Sequence, residues 1–578
     1  MCIENPSDTN LNNSSSRRNF IKNSAGLAGF AFAGIPQIAS MASGSDVHEK
    51  DILKSIAIQK GSAKHFTLLH TADIHAQLYT HDEFFWENGK AVYKKRGGMA
   101  VLKTMLHTLK KQNPGNTLII DGGDCFQGGG VAALSKGAAI IPLINNISYD
   151  LVLPGNWEVV YGKEMMRKDM GGYYANKVCA NMLHDTRDEL NGDLMFPPYW
   201  TTMMAGIKIG FIGYNDPLTP KRQSPAYSEG IKFTKPEVNV SKYINILKDY
   251  EKCQMVFLIT HMGLAQQVDL GNKKEIEGVD YILGADTHER VRTPIETKYT
   301  KVTEPGAFGS FISKLDIVIE KGKIKDHNYQ LLDVDPTRYK PDPVMQQLVL
   351  KAREPYKNEL DKVIGKTKTA LVRYFVLENP MDNMITDAIM WKFNPDIALS
   401  NGFRFCPPLI PEENGFANIT NEYLWSMLPV DSEAKTGEIT GLQLKAWLET
   451  EIHNVFSTNP ADRFGGWMIR FSGMEINFTA HRAMGKRVNS VKVKGKVVQD
   501  DKIYSIVACE REGDPDDVLC RVEHVINPKK LNVALHDVIR EYLKVHSPVT
   551  PKVEGRVIAT DEAATLLSQL EGYNYVFR

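Results

Sequence analysis

The sequence predicts an α/β protein of two regions joined by a helical connector, and three observations support this. Short β-branched or aliphatic runs recur from about His65 to Gly284, each ending in a polar cluster. Continuous apolar runs of this length suit strands buried on both faces of a sheet. Helical patterns such as Gly98 to Lys111 lie between them, and a helical segment from about Val344 to Val363, opened by Pro341 and Pro343, reads as the connector. A second region from about Thr367 to Ala559 alternates helix and strand on its own account. At 578 residues the chain is too long for one ordinary domain, which agrees with the division.

Composition removes several function classes. Charged residues make up 24% and the hydrophobic set 43%, as in a soluble globular protein. Lys plus Arg and Asp plus Glu both total 69, so no basic footprint points to a nucleic-acid polymer. Seven Cys without a CxxC pair suit neither a disulfide scaffold nor a zinc finger. Residues 1–42 read as an address: Ser16-Arg17-Arg18-Asn19-Phe20-Ile21-Lys22 has the twin-arginine pattern. A mildly apolar run from Ala25 to about Ala39 comes next, then small residues at Ser40 and Ala42. The run is shorter than the roughly 20 residues that span a bilayer, so a cleaved signal is predicted and no stable membrane anchor. The partner this implies is the twin-arginine export machinery, and the destination is the periplasm or another exported location.

The chemistry is carried by the polar clusters at the strand ends. After Phe66–Leu69 comes His70-Thr71-Ala72-Asp73-Ile74-His75, and after Thr117–Ile120 comes Asp121-Gly122-Gly123-Asp124-Cys125-Phe126-Gln127-Gly128. Leu151–Leu153 leads to Gly155-Asn156-Trp157-Glu158, Met255–Ile259 to Thr260-His261-Met262-Gly263, and Tyr281–Leu283 to Gly284-Ala285-Asp286-Thr287-His288. Five strand ends of one layer fold thus bear Asp, Asn or His where open α/β sheets place their sites. An oxygen and nitrogen ligand set with no thiolate suits two hard or borderline divalent ions. Two ions about 3.5–4 Å apart can clamp a tetrahedral oxyanion and activate a bridging hydroxide. Gly365-Lys366-Thr367 mimics the end of a phosphate-binding loop, but Leu360 stands where that motif needs glycine, so a connector turn is expected.

This ordered set resembles the calcineurin-like metallophosphoesterases, and the mature chain looks like their 5'-nucleotidase family over its whole length. The resemblance implies a four-layer β-sandwich domain with flanking helices at residues 60–335. A connecting helix at 340–365 would join it to a smaller α/β substrate-binding domain at 366–560. One metal would take Asp73, His75, Asp124 and His288. The other would share Asp124 and take Asn156, His261 and Asp286, with manganese preferred and zinc, iron or calcium as alternatives. Asn156 also counts as catalytic. Two departures stand out: Asp286 replaces a metal-binding His, and Trp157 and Val160 replace the His and Asp that serve the transferring phosphoryl group. His81 and His184 are the candidate substitutes. In the second domain, Asn401-Gly402-Phe403-Arg404-Phe405 resembles the segment that approaches substrate, so Asn401, Arg404 and Phe405 are carried over as substrate-binding. Arg404 doubles as a catalytic cation, and Phe405 or Trp467 could supply a stacking ring.

The implied function is removal of phosphate from nucleotides or related esters by attack of a metal-bound hydroxide. A subgroup, the thiosulfohydrolases, shares Asp73-Ile74-His75-Ala76-Gln77, Arg96-Gly97-Gly98-Met99-Ala100 and the Trp-Glu pair after the third strand. It implies a sulfonated thiol on a carrier protein as the alternative substrate. A metal- or nucleotide-binding protein that has lost catalysis is the third reading.

Overall fold

The apolar runs assemble into two six-stranded sheets stacked face to face, in a computed structural model that describes residues 64–402 and 406–567. The predicted signal at residues 1–42, with Arg404 and Phe405, lies outside the described residues. In the first sheet Lys64–Thr71 runs parallel to Thr117–Asp121, which runs parallel to Leu151–Val152. Phe311–Glu320 and Lys323–Asp333 close its other side antiparallel. In the second sheet Met255–His261 lies parallel between Ile207–Asn215 and Tyr281–Ala285.

Period-two geometry explains why these strands read as unbroken apolar runs. Ile209, Phe211, Phe257, Ile259 and Leu283 share the inter-sheet core with Phe66, Leu68 and Ile119. Their neighbours Ile212, Val256, Leu258 and Ile282 point outward, into a separate core with Val240, Ile244, Leu264 and Val268 of the covering helices. Helix Met99–Gln112 contributes Val101, Leu102, Met105, Leu106 and Leu109 to the core of the first sheet. The layers are therefore helix, sheet, sheet, helix. Of the five polar clusters, three follow strands of the first sheet and two follow strands of the second, and stacking brings them together.

The connector also departs from a single helix. Asp342 caps Pro343–Arg353 by accepting from the Met345 N–H at 2.8 Å. A 3₁₀ turn, Glu354–Tyr356, then interrupts it before a short helix, Lys357–Leu360. Pro355 lacks the N–H a continuing helix needs, and its ring crowds the preceding turn. Val363–Thr367 is a strand paired with Ala417–Thr420, so Gly365-Lys366-Thr367 is sheet and not a turn. Beyond it, a five-stranded sheet orders Arg470–Ser472, Ile397–Ser400, Ile503–Cys509, Glu433–Thr440 and Ile526–Ala534. Helix Pro380–Phe393 covers one face of it and Gly441–Phe456 the other. The second of these starts from a capping box between Thr440 and Gln443.

Candidate metal centre

The loops at the strand ends are laced by their backbones before any side chain is considered. Asp73 N–H donates to Gly123 O and His75 N–H to Asp124 O, both at 2.9 Å. The Glu158 carboxylate accepts from the N–H groups of Asp124, Cys125, Phe126 and Gly155 at 2.6–3.3 Å, pinning two loops at one point. A Cβ on Gly155 would stand 2.2 Å from Asp124 Oδ1, so only glycine allows that approach. Asp73, His75, Asp124, Asp286 and His288 all have positive φ, between 49° and 91°. Non-glycine residues adopt this region only when their surroundings force it, and such residues cluster at functional sites.

These turns aim buried side chains at one another. His75 Nε2 and His288 Nε2 lie 3.0 Å apart, with Asp73 Oδ1 at 3.8 and 3.6 Å from them. His261 Nε2 is 3.0 Å from Asp124 Oδ2 and 3.9 Å from Asp73 Oδ1. Two groups thus have ligand atoms close enough to share an ion: Asp73, His75 and His288, and Asp73, Asp124 and His261. The imidazoles are pre-set for this. His75 Nδ1 lies 2.9 Å from Gln127 O and His261 Nδ1 2.8 Å from Gly122 O, which puts a proton on each Nδ1 and turns each Nε2 toward the cluster as the ligand nitrogen. His261 Nε2 is buried with no hydrogen-bond partner among the described residues. The donor set fits borderline divalent cations.

The charges are under strain as they stand. Burial pushes Asp73 well above the usual carboxylate range, and Asp124 and Asp286 add to this. Burial holds His75 down at about 4. It opposes charge on His261 too, but the Asp124, Asp73 and Asp286 carboxylates outweigh it and hold that imidazolium well above its ordinary value.

Asn156 and Asp286 are held differently. Asn156 Nδ2 donates to Asp286 Oδ1 at 2.7 Å, and its Oδ1 accepts from Gln223 Nε2 at 3.0 Å. Asp286 Oδ2 accepts from Arg222 Nη1 at 2.5 Å, and Asp216 Oδ2 lies 3.3 Å from the same nitrogen. To ligate an ion beside Asp286, the Asn156 amide must turn its oxygen around.

Arg222 and Gln223 were not singled out by sequence. The nearest signal was indirect: Ile207–Asn215 is another apolar strand ending in a polar pair, Asn215-Asp216, beside the strand that carries His261, but no motif marks Arg222 or Gln223 themselves.

One cavity joins this cluster to the second region. His75, Asp124, Asn156, Trp157, Arg222, Gln223, Asp286 and His288 line it with Asn401, Phe464, Trp467 and Arg521. Trp467 Nε1 donates to Asn401 O at 3.0 Å, and Phe464 lies between the Arg222 and Arg521 guanidiniums, each 5.4 Å from its ring centre. His81, bonded through Nε2 to Ser310 Oγ, and His184, in a small separate sheet, do not line it. Trp157 packs with Val160, Tyr161, Tyr227 and Val430. The Cys509–Asp514 stretch presents Arg511, which donates to Lys221 O and Gln223 O and so braces the Arg222 segment.

Residues 66–290 match the calcineurin-like phosphoesterase family, and residues 363–510 match the 5'-nucleotidase C-terminal domain. The chain belongs to the calcineurin-like phosphoesterases that carry a 5'-nucleotidase C-terminal domain. A 5'-nucleotidase of Diplobatis ommata is 23% identical over 582 residues, covering 92% of this chain and 96% of its own. The sulfate thiohydrolase SoxB of Thermus thermophilus superposes with a TM-score of 0.75 at 21% identity, over 87% of this chain and 98% of that one. A 5'-nucleotidase precursor, also from Thermus thermophilus, gives 0.74 at 22%, over 86% and 100%. At these identities the superpositions speak to the fold. Family membership makes the chain a hydrolase of the phosphoesterase class.

Proposed function

We propose that this chain is an exported, manganese-dependent phosphomonoester hydrolase acting on nucleotides or related phosphate esters. The observation that carries this is the shared cavity, in which Asn401, Phe464 and Trp467 of the second region face the ligand cluster of the first. Asp73, His75, Asp124 and His288 would hold one divalent ion, and Asp124, Asn156, His261 and Asp286 the other. When bound, such ions supply Lewis acidity and lower the pKa of a nucleophilic water. The chain's own residues do the rest. Glu158 fixes the two loops that carry Asp124 and Asn156. Trp467 offers a face on which a nucleobase can stack. Asn401 and Arg404 would bind the substrate's polar groups, and Phe405 would supply a further ring for stacking. The domain reading (60–335, 340–365 and 366–560) and export through residues 1–42 belong to the same proposal.

Trp157 favours a second reading, release of sulfate from an S-sulfonated thiol on a carrier protein. A thiolate-type leaving group departs without a general acid, so an indole in place of the family's His costs less there.

The experiment supplies Mn²⁺ and follows phosphate release from AMP, UDP-glucose and p-nitrophenyl phosphate, with sulfate release from S-sulfocysteine alongside. Turnover of a phosphate ester above about 1 s⁻¹ is expected. Sulfate release alone would replace the first reading by the second, and neither release would sink both.

A further inference from the structure

Trp157 leaves a gap in the family's chemistry. A tetrahedral oxyanion arriving at the metal centre gathers negative charge, and the His and Asp that would answer it are replaced here by Trp157 and Val160. Trp157 is buried against Tyr161, Tyr227 and Val430, so that position has become part of an apolar wall. The charge must be met from elsewhere in the cavity.

We propose that Arg222 is the catalytic cation that takes the place of that His and binds the transferring oxyanion. The proposal rests on the hydrolase reading above and holds for phosphoryl or sulfuryl transfer alike. Arg222 lines the cavity next to Asn156, Trp157 and Asp286. Its side chain is 11% exposed and its position is fixed from two sides. Asp286 and Asp216 hold Nη1, while the guanidinium carbon lies over the Phe464 ring, 5.4 Å from its centre. A guanidinium carries five donors, and two carboxylates on one nitrogen leave the rest of the fork uncommitted. Nε is buried and has no hydrogen-bond partner among the described residues. A buried donor without a partner is costly, and an oxyanion oxygen would relieve it. A cation held in place before the reaction need not reorganise during it, which is what makes such groups effective.

Two departures from the family then become one. Exchanging a ligand His for Asp286 adds a negative charge, and Arg222 adds the positive charge that balances it within the cavity that Trp157 also lines. In the hydrolysis a bond forms from water oxygen to phosphorus or sulfur, and the bond to the leaving oxygen or thiol sulfur breaks. One water proton goes to the leaving group and the other to solvent. Arg222 stays protonated throughout and contributes charge and hydrogen bonds only.

The competing account is that Arg222 is merely the counter-ion of Asp286. The full chain loaded with Mn²⁺ separates the two, using Arg222→Met, Arg222→Lys and the double variant Arg222→Met/Asp286→His. Metal content, calorimetric binding of inorganic phosphate and of sulfate, and kcat with p-nitrophenyl phosphate and S-sulfocysteine are read for each. Arg222→Met is expected to lose about 10²–10³ in kcat, as for other oxyanion donors, and to weaken binding of whichever anion the wild type prefers. The double variant, with its charges rebalanced and its metal content restored, is expected to stay as defective. Recovery of wild-type anion binding and turnover in the double variant would overturn the proposal. Should Arg222→Met not fold, Arg222→Lys decides: it keeps the ion pair but loses the planar fork, so unchanged anion binding and kcat would overturn the proposal and a loss in both is expected. A wild type that binds neither anion and turns over neither substrate overturns the hydrolase reading itself, a different result from an active wild type whose variants are unimpaired.

Discussion

The two halves of the ligand cluster are built from different materials. His75 and His261 are oriented by the carbonyls of Gln127 and Gly122, Asp73 accepts from the Asp286 N–H, and Asp124 accepts from the Trp157 N–H at 2.8 Å. Each of these supports is backbone, and so is fixed once the fold forms. Asn156 and Asp286 are oriented by the side chains of Gln223 and Arg222. The first half is therefore a property of the fold, whereas the second can be retuned by single substitutions.

The most severe way to test the backbone-held half is Asp124→Asn. Asp124 Oδ2 faces His261 at 3.0 Å and His75 at 3.8 Å, so it lies, together with Asp73, between both groups of imidazoles. Removing its charge while preserving its shape should abolish turnover and reduce the manganese content by at least one ion per chain, measured by elemental analysis. Retained activity with two ions would mean that the backbone-held half is not the centre of the site.

Away from the metals, another side-chain-held pair offers a second test. Glu83, in the hairpin that begins at His81, accepts from Arg290 Nη2 at 2.7 Å and from the Tyr374 hydroxyl. Burial opposes its charge, but Arg290, with His81 and Tyr374, holds its carboxyl down to about 2. The ordinary value is 4.5, so the ionised form is favoured by folding. The resulting stability, on the order of 3 kcal/mol, is fully present above the unfolded-state pKa near 4.5 and lost as pH falls from there toward 2. Denaturant melts of wild type and Glu83→Gln should differ most near neutral pH, and the gap should shrink across that acid window. A gap independent of pH would show that the pair contributes by packing alone.

The same division between backbone and side chain governs how far the sequence could be read. Strands such as Met255–His261 and the loop ligands after them were legible because a strand buried on both faces leaves an unbroken apolar run. That the five loops belong to two stacked sheets came only through the family resemblance, because stacking is a long-range event that no local pattern encodes. Pro355 could have warned that the connector breaks, since its missing N–H is written in the sequence. Arg222 and Phe464 were missed for a deeper reason. They come from a four-residue helix and a loop with no motif, and only the tertiary structure places them beside Asp286.

The finest test of the comparison is at Gln223, where two nearly isosteric substitutions should act with opposite sign. Gln223 has both a donor and an acceptor, so it can support the Asn156 amide in either orientation. In the present arrangement it donates to Asn156 Oδ1, which keeps that oxygen away from Asp286. Gln223→Glu can only accept, so it would pair with Asn156 Nδ2 and turn the oxygen toward the ion that Asp286 and His261 share. Its added charge favours the same outcome. Gln223→Leu supports neither orientation and leaves a buried amide group without its partner, for which a loss of about tenfold in affinity is typical of residues that support metal ligands. Competition of each variant with a calibrated chelator for Mn²⁺ should therefore show one ion held more tightly in Gln223→Glu and less tightly in Gln223→Leu. The other ion, proposed for Asp73, His75, Asp124 and His288, should be unchanged in both. Equal shifts for the two ions would mean that the halves are coupled through their shared aspartates, and that Gln223 does not set the second one alone.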